Sequence, residues 1–141
     1  GHLHDITVVS PSFLDGTLVG YFACTAHVVD VGGRGFTADG ESVYEEGLRI
    51  PIMHFARAGE VNFDVVRFVR ANVREADQVV GDIYALAACN ETGHRRLVAM
   101  LDEFGLPTGY VQGPRFGQPS TTRDGLFQPH VGFAGDGGGI Q

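Results

Sequence analysis

The stretch Asp5 to His27 reads DITVVSPSFLDGTLVGYFACTAH, and its pattern sets the architecture. Asp5 to Phe13 is rich in β-branched residues, which fit a pleated, half-buried strand. Pro11 has no amide proton for a ladder, so it marks an edge or a strand end. Leu14-Asp15-Gly16 carries the Asp-Gly turn signal, and Thr17 to His27 is a second run of strand formers. The reading is a β-hairpin. With a three-residue loop, Phe13 lies opposite Thr17, Asp5 opposite Thr25 and Leu3 opposite His27. Asp5 and His27 are then diagonal neighbours on one face.

Outward from the hairpin, Val31-Gly32-Gly33-Arg34-Gly35 is a glycine-rich loop, and Phe36 to Ser42 is irregular. Tyr44-Glu45-Glu46-Gly47 reads as a turn, followed by a short extended segment that ends near Pro51. Phe63, Val65, Val66, Phe68, Val69 and Val73 recur at helical spacing, with Asn62 as N-cap. A longer helical pattern runs from Ala76 to Phe104. Gly93 is a weak point in it, Gly105 a natural C′ residue, and Pro107 blocks continuation. From Tyr110 to Gln141 periodicity is lost and glycines and prolines are scattered. The fold class is therefore α+β: a hairpin and glycine-rich loop, two helices and an irregular tail. The expected division is 1–108 as a partial domain and 109–141 as a glycine/proline-rich tail.

Composition narrows the class. The 141 residues carry 43% hydrophobic and 19% charged side chains, which suits a globular domain. The net charge of −7, with scattered arginines and no lysine, excludes nucleic acid as an expected partner. The sequence has no apolar run of eighteen residues, so no membrane partner is expected and a cytoplasmic location is. Cys24 and Cys89 are not in a Cys-x-x-Cys pair and read as two buried thiols.

The hairpin brings chemistry together. It places the carboxylate of Asp5 beside the imidazole of His27, and His2 lies just before the strand, close enough to join them. Two imidazoles and a carboxylate suit Zn²⁺, Mn²⁺ or Fe²⁺. Asp30, three residues past His27, is a further ligand or the group that orients a ligand imidazole. His4 alternates with Asp5 and reads as structural or exposed. His54, His94 and His130 stand apart from the cluster. The glycine loop lacks the Lys-Ser/Thr of a phosphate-binding loop and reads as a packed turn beside the metal. Glu46 is a candidate general base. Nothing suggests a Ser-His-Asp or Cys-His nucleophile.

These residues fall into ordered motifs: His2-Leu3-His4-Asp5-Ile6-Thr7-Val8-Val9, then Gly20-Tyr21-Phe22, then Ala26-His27-Val28-Val29-Asp30-Val31-Gly32-Gly33, then Glu46-Gly47-Leu48-Arg49-Ile50-Pro51, then Asn72-Val73-Arg74 with Gly81-Asp82. The series resembles the hydantoinase B/oxoprolinase family from His2 to about Pro107. His4 stands where the family usually has proline, and Val28 where a second histidine is frequent. The resemblance implies a component of an ATP-coupled hydrolase of hydantoins or 5-oxoproline. It also implies, as an alternative, a subunit of an acetone or acetophenone carboxylase. In the carboxylase branch the metal ligands match His2, Asp5 and His27, with a further acidic ligand upstream of the first motif. ATP would be used by a hydantoinase A-like partner, and the substrate would be a small cyclic amide or ketone. Asp30 and Glu46 are the expected catalytic residues. Family members are several times longer, so the chain reads as a fragment, inactive in isolation; a non-catalytic role is the remaining alternative.

Overall fold

The computed structural model of the chain describes residues 2–35 and 37–105. The expected tail, 109–141, and His130 lie outside the described residues. Strand β1 runs Asp5–Leu14 and β2 Thr17–His27, paired antiparallel. A single helical turn, α1, covers Val43–Glu46. Two very short strands, β3 (Ala56–Arg57) and β4 (Glu60–Val61), form a second hairpin around Ala58-Gly59, both at positive φ. Helices α2 (Phe63–Asn72) and α3 (Ala76–Glu103) complete an α+β arrangement.

The hairpin register departs from the expected one in two places. The turn has two residues, not three: Leu14 pairs with Thr17, and Asp15 and Gly16 take φ of 49° and 77°. Such left-handed pairs match the natural twist of a hairpin. The pairing then passes from Phe13↔Leu18 to Ser12↔Gly20, so Val19 is an extra, unpaired residue. Asp5 ends directly opposite His27, rather than diagonal to it. The face is unchanged, because the register differs from the expected one by an even step. Without Val19, a two-residue turn would set Asp5 opposite Ala26 and His27 opposite His4. The bulge therefore restores the parity that puts the carboxylate and imidazole together.

One face of the ribbon packs on α3, and α2 packs on α3 from the side. Even-numbered β1 residues Ile6, Val8, Ser10 and Ser12 turn inward, while Asp5, Thr7, Val9, Pro11 and Phe13 face out. The core gathers Val28, Val31, Val66, Val69, Val79, Val80 and Ile83. Each buried Val contributes roughly 1.5–3 kcal/mol.

Both helices follow their sequence signals. The Asn62 Oδ1 accepts from the Asp64 amide at 3.1 Å, capping α2. Gly93 does not break α3; a Cβ there would lie 2.6 Å from Cδ1 of Phe22, so the helix needs its absence to lie on β2. Gly105 takes φ of 57° just past the helix. Asn90, 2% exposed, donates from Nδ2 to the Val8 carbonyl at 3.0 Å and to Ser10 Oγ at 3.2 Å, which pins α3 to β1.

One expectation needs correction. Cys89 is exposed rather than buried. It sits on α3 one turn after Leu86, whose carbonyl accepts from the Cys24 thiol at 3.2 Å. Burial first, then contact with Cys89, pushes the Cys24 thiol up. His94, set apart in the sequence, meets the fully buried Ser12: Ser12 Oγ and His94 Nδ1 are 2.8 Å apart. At 0% exposure Ser12 has no route to a substrate, so the contact joins strand to helix.

Candidate metal centre

The site is built from a turn and a strand end. The Asp5 amide donates to the His2 carbonyl at 3.2 Å, so His2-Leu3-His4-Asp5 forms a turn that brings residues 2 and 5 together. The His4 carbonyl accepts from the Val28 amide at 2.9 Å, tying this turn to the end of β2. Glu46 Oε2 accepts from the Leu3 amide at 2.8 Å and fixes the turn from a third element.

His2, Asp5 and His27 each offer a ligand atom, all within 4.8 Å of one another. The Asp5 carboxylate lies between the imidazoles, with Oδ1 3.3 Å from His27 Nδ1 and Oδ2 3.6 Å from His2 Nδ1. The side chains are 30%, 35% and 49% exposed for His2, Asp5 and His27, so the cluster is open to an incoming ion and ligand. Mixed nitrogen and oxygen donors gathered at one place are the kinds of ligand that a first-row divalent cation takes. The fit rests on the donors themselves.

His4, expected to be structural or exposed, is structural: it is buried while Asp5 beside it is exposed, although it belongs to the turn rather than to the strand. Its ring is 2% exposed and stacks on His27 with centroids 5.2 Å apart and an 11° interplanar angle. The His2 ring meets His27 edge-on at 4.7 Å. Burial, then the neighbouring His27 and His2, lowers the His4 pKa, against smaller opposing effects of Asp30 and Glu46. A neutral His4 therefore forms the floor beneath His27.

Asp30 is 4% exposed, and its carboxylate accepts from five donors. Oδ1 takes the Gly32 amide at 2.9 Å and the Arg74 Nε at 3.2 Å, together with Arg74 Nη2. Oδ2 takes the amides of Arg74 and, at 3.3 Å, of Glu75. Burial alone would raise its pKa, but the Arg74 guanidinium and the three backbone N–H groups outweigh it and hold Asp30 well below the usual carboxylate range. The loop that follows is packed backbone on backbone. A Cβ on Gly32, at φ 85°, would overlap the Asn72 carbonyl; one on Gly33 would overlap Glu46; one on Gly47, at φ 127°, would overlap the Val31 carbonyl. The Leu48 amide donates to that Val31 carbonyl at 2.6 Å. This packing is what carries Glu46 to the His2–Asp5 turn.

Comparison with known proteins identifies the family of the chain. The family model described as hydantoinase B/oxoprolinase matches residues 1–110. The β subunit of a caprolactamase from Pseudomonas jessenii is 32% identical over 108 residues, covering 74% of this chain and 19% of that protein. The 5-oxoprolinase PfmaA of Pestalotiopsis fici is 33% identical over 126 residues, covering 79% of this chain and 10% of that one. The crystal structure of the ATP-dependent caprolactamase from Pseudomonas jessenii superposes with a TM-score of 0.68 at 31% identity, over 75% of this chain and 19% of that chain. The chain thus spans a fifth or less of the length of these relatives. Its ordered motifs, its hairpin and the extent of the family match lead to one conclusion: the chain belongs to the hydantoinase B/oxoprolinase family.

Proposed function

We propose that the chain is part of an ATP-coupled hydrolase of cyclic amides, with a divalent cation (manganese, zinc or iron) held by His2, Asp5 and His27. The observation that carries this reading is the convergence of those three side chains on one open end of the hairpin. The relatives, a caprolactamase subunit and a 5-oxoprolinase, suggest the substrate class.

A cation bound there supplies Lewis acidity, which polarises an amide carbonyl or eases deprotonation of water. The chain's own residues do the rest. Asp5 gathers both imidazoles, and the His4 ring stacks behind His27 and limits its rotation. Glu46 holds the His2–Asp5 turn by the Leu3 amide and stands as the candidate base of the site. Asp30 serves as a positioning residue: a carboxylate kept ionised by Arg74 and three amides is a weak proton acceptor, but it locks the loop that delivers Glu46. ATP is used by a hydantoinase A-like subunit or domain.

The test pairs the chain, in its natural assembly, with that ATP-using partner and measures ATP hydrolysis on addition of ε-caprolactam or 5-oxoproline. Lactam-dependent turnover that disappears on chelation supports the reading. Turnover that follows bicarbonate and acetone instead replaces it with a carboxylase, and bound metal without any turnover makes the chain non-catalytic.

A further inference from the structure

The outer face of the hairpin continues away from the metal cluster in cross-strand rows. The first row is Asp5↔His27, the second Thr7↔Thr25, the third Val9↔Ala23 and the fourth Pro11↔Tyr21. Rows on one face are two residues apart, about 7 Å along the strand. All of these residues except the inward neighbours between them are exposed, Val9 and Tyr21 by 45% and 44%. The two threonine hydroxyls are 2.7 Å apart and hydrogen-bonded to each other. The face therefore grades from ionic, through a hydroxyl pair, to apolar within three rows.

That gradient has a chemical match. One proton serves the Thr7–Thr25 bond, which leaves the pair one O–H to donate and free lone pairs to accept. A secondary amide needs both, an acceptor for its N–H and a donor for its carbonyl. The methylene part of a lactam ring needs an apolar bed, which Val9 and Ala23 present next in line.

We propose that Thr7 and Thr25 are the amide-recognition pair of the site, and that Val9 and Ala23 bed the hydrocarbon part of a lactam. The proposal rests on the metal-dependent lactam reading and names where its substrate lies. Threonine hydroxyls set the orientation of the amide; the cross-strand apolar row sets the ring size tolerated.

The test uses the full 141-residue chain, ε-caprolactam as probe and Zn²⁺ as the ion. Methyl resonances of Thr7 and Thr25 are followed during caprolactam titration with and without Zn²⁺, and Zn²⁺ affinity is measured separately by calorimetry. Saturable shifts at both methyls are expected, and T7V/T25V is expected to weaken caprolactam binding about tenfold, one hydrogen bond's worth. Zn²⁺ affinity and melting temperature stay unchanged in that variant, because valine keeps the β-branched shape. Unmoved methyls, or equal caprolactam affinity in T7V/T25V, overturn the proposal even if Zn²⁺ binds. Methyl shifts without Zn²⁺ binding leave the amide pair standing and remove the metal reading instead.

Discussion

His27 and Val28 are consecutive residues with opposite fates. His27 is 49% exposed at the open end of the hairpin, and Val28 is 0% exposed in the core. From Val28 to Gly33 the chain is clamped by core packing, by five donors on Asp30 and by backbone contacts that leave no room for a Cβ. From Asp5 to Val9 on the outer face, side chains stand free of the helices. The difference shows how the molecule divides its work. A tightly packed segment fixes the backbone, and the exposed segment before it can then hold ligand atoms in register without being part of the core.

Substitutions can break that division, starting on the clamped side. Gly32→Ala is expected to cost 4 kcal/mol or more, on the order of the largest single-residue effects, because it adds both a steric overlap and a positive-φ penalty. A thermal melt followed by circular dichroism should show loss of the cooperative transition, and a normal melt would mean the loop is looser than described. Asp30→Ala is expected to cost about 3 kcal/mol, through the donors it leaves unpaired. Asp30 also sets an acid limit. Its folded pKa is depressed, so the unfolded chain binds the proton more readily. Its stabilisation is complete above about pH 4, the ordinary carboxylate range, and falls away as pH drops below it. Urea midpoints between pH 6 and 3 should fall in the native chain, and Asp30→Asn should start lower and fall less. Asn90→Ala is expected to cost about 1–2 kcal/mol, since it frees the Val8 carbonyl from a buried partner. On the open side, His27→Ala should move stability by no more than about 0.5 kcal/mol, as exposed substitutions do.

Most of the fold was legible because its elements carry long, redundant signals. The Asp-Gly turn, the β-branched runs, the Asn62 cap and the apolar stripe of α3 each repeat their message over many residues. What escaped was encoded in single residues or short-range geometry. Val19 looks like any other strand valine, yet as a bulge it compensates for a turn one residue shorter than expected. The shortened turn alone would have put His27 opposite His4, so the pairing of Asp5 with His27 was reached through two one-residue shifts that add to an even step. Alternation marks His4 as structural and it is buried, but the stacking of its ring on His27 comes from the turn and is not written in the pattern. The two-residue strands β3 and β4 are too short to leave any alternation. Cys89 lies on a helical pattern but on its outward side, and only packing decides that. Of the site, the gathering of His2, Asp5 and His27 followed from sequence, whereas four of the five donors on Asp30 and the Glu46–Leu3 contact join residues more than forty positions apart, beyond the reach of local pattern.

The central claim is that a cation binds at the open end while the clamp beneath stays intact. Titration of Zn²⁺ or Mn²⁺ into the wild-type chain and into His27→Ala, with melting temperature recorded on the same samples, tests it directly. One equivalent is expected to bind the wild type and at least about a hundredfold weaker binding is expected for the variant, with the two proteins melting alike before metal is added and the wild type alone rising when it is. Equal metal affinity in the two proteins would contradict it.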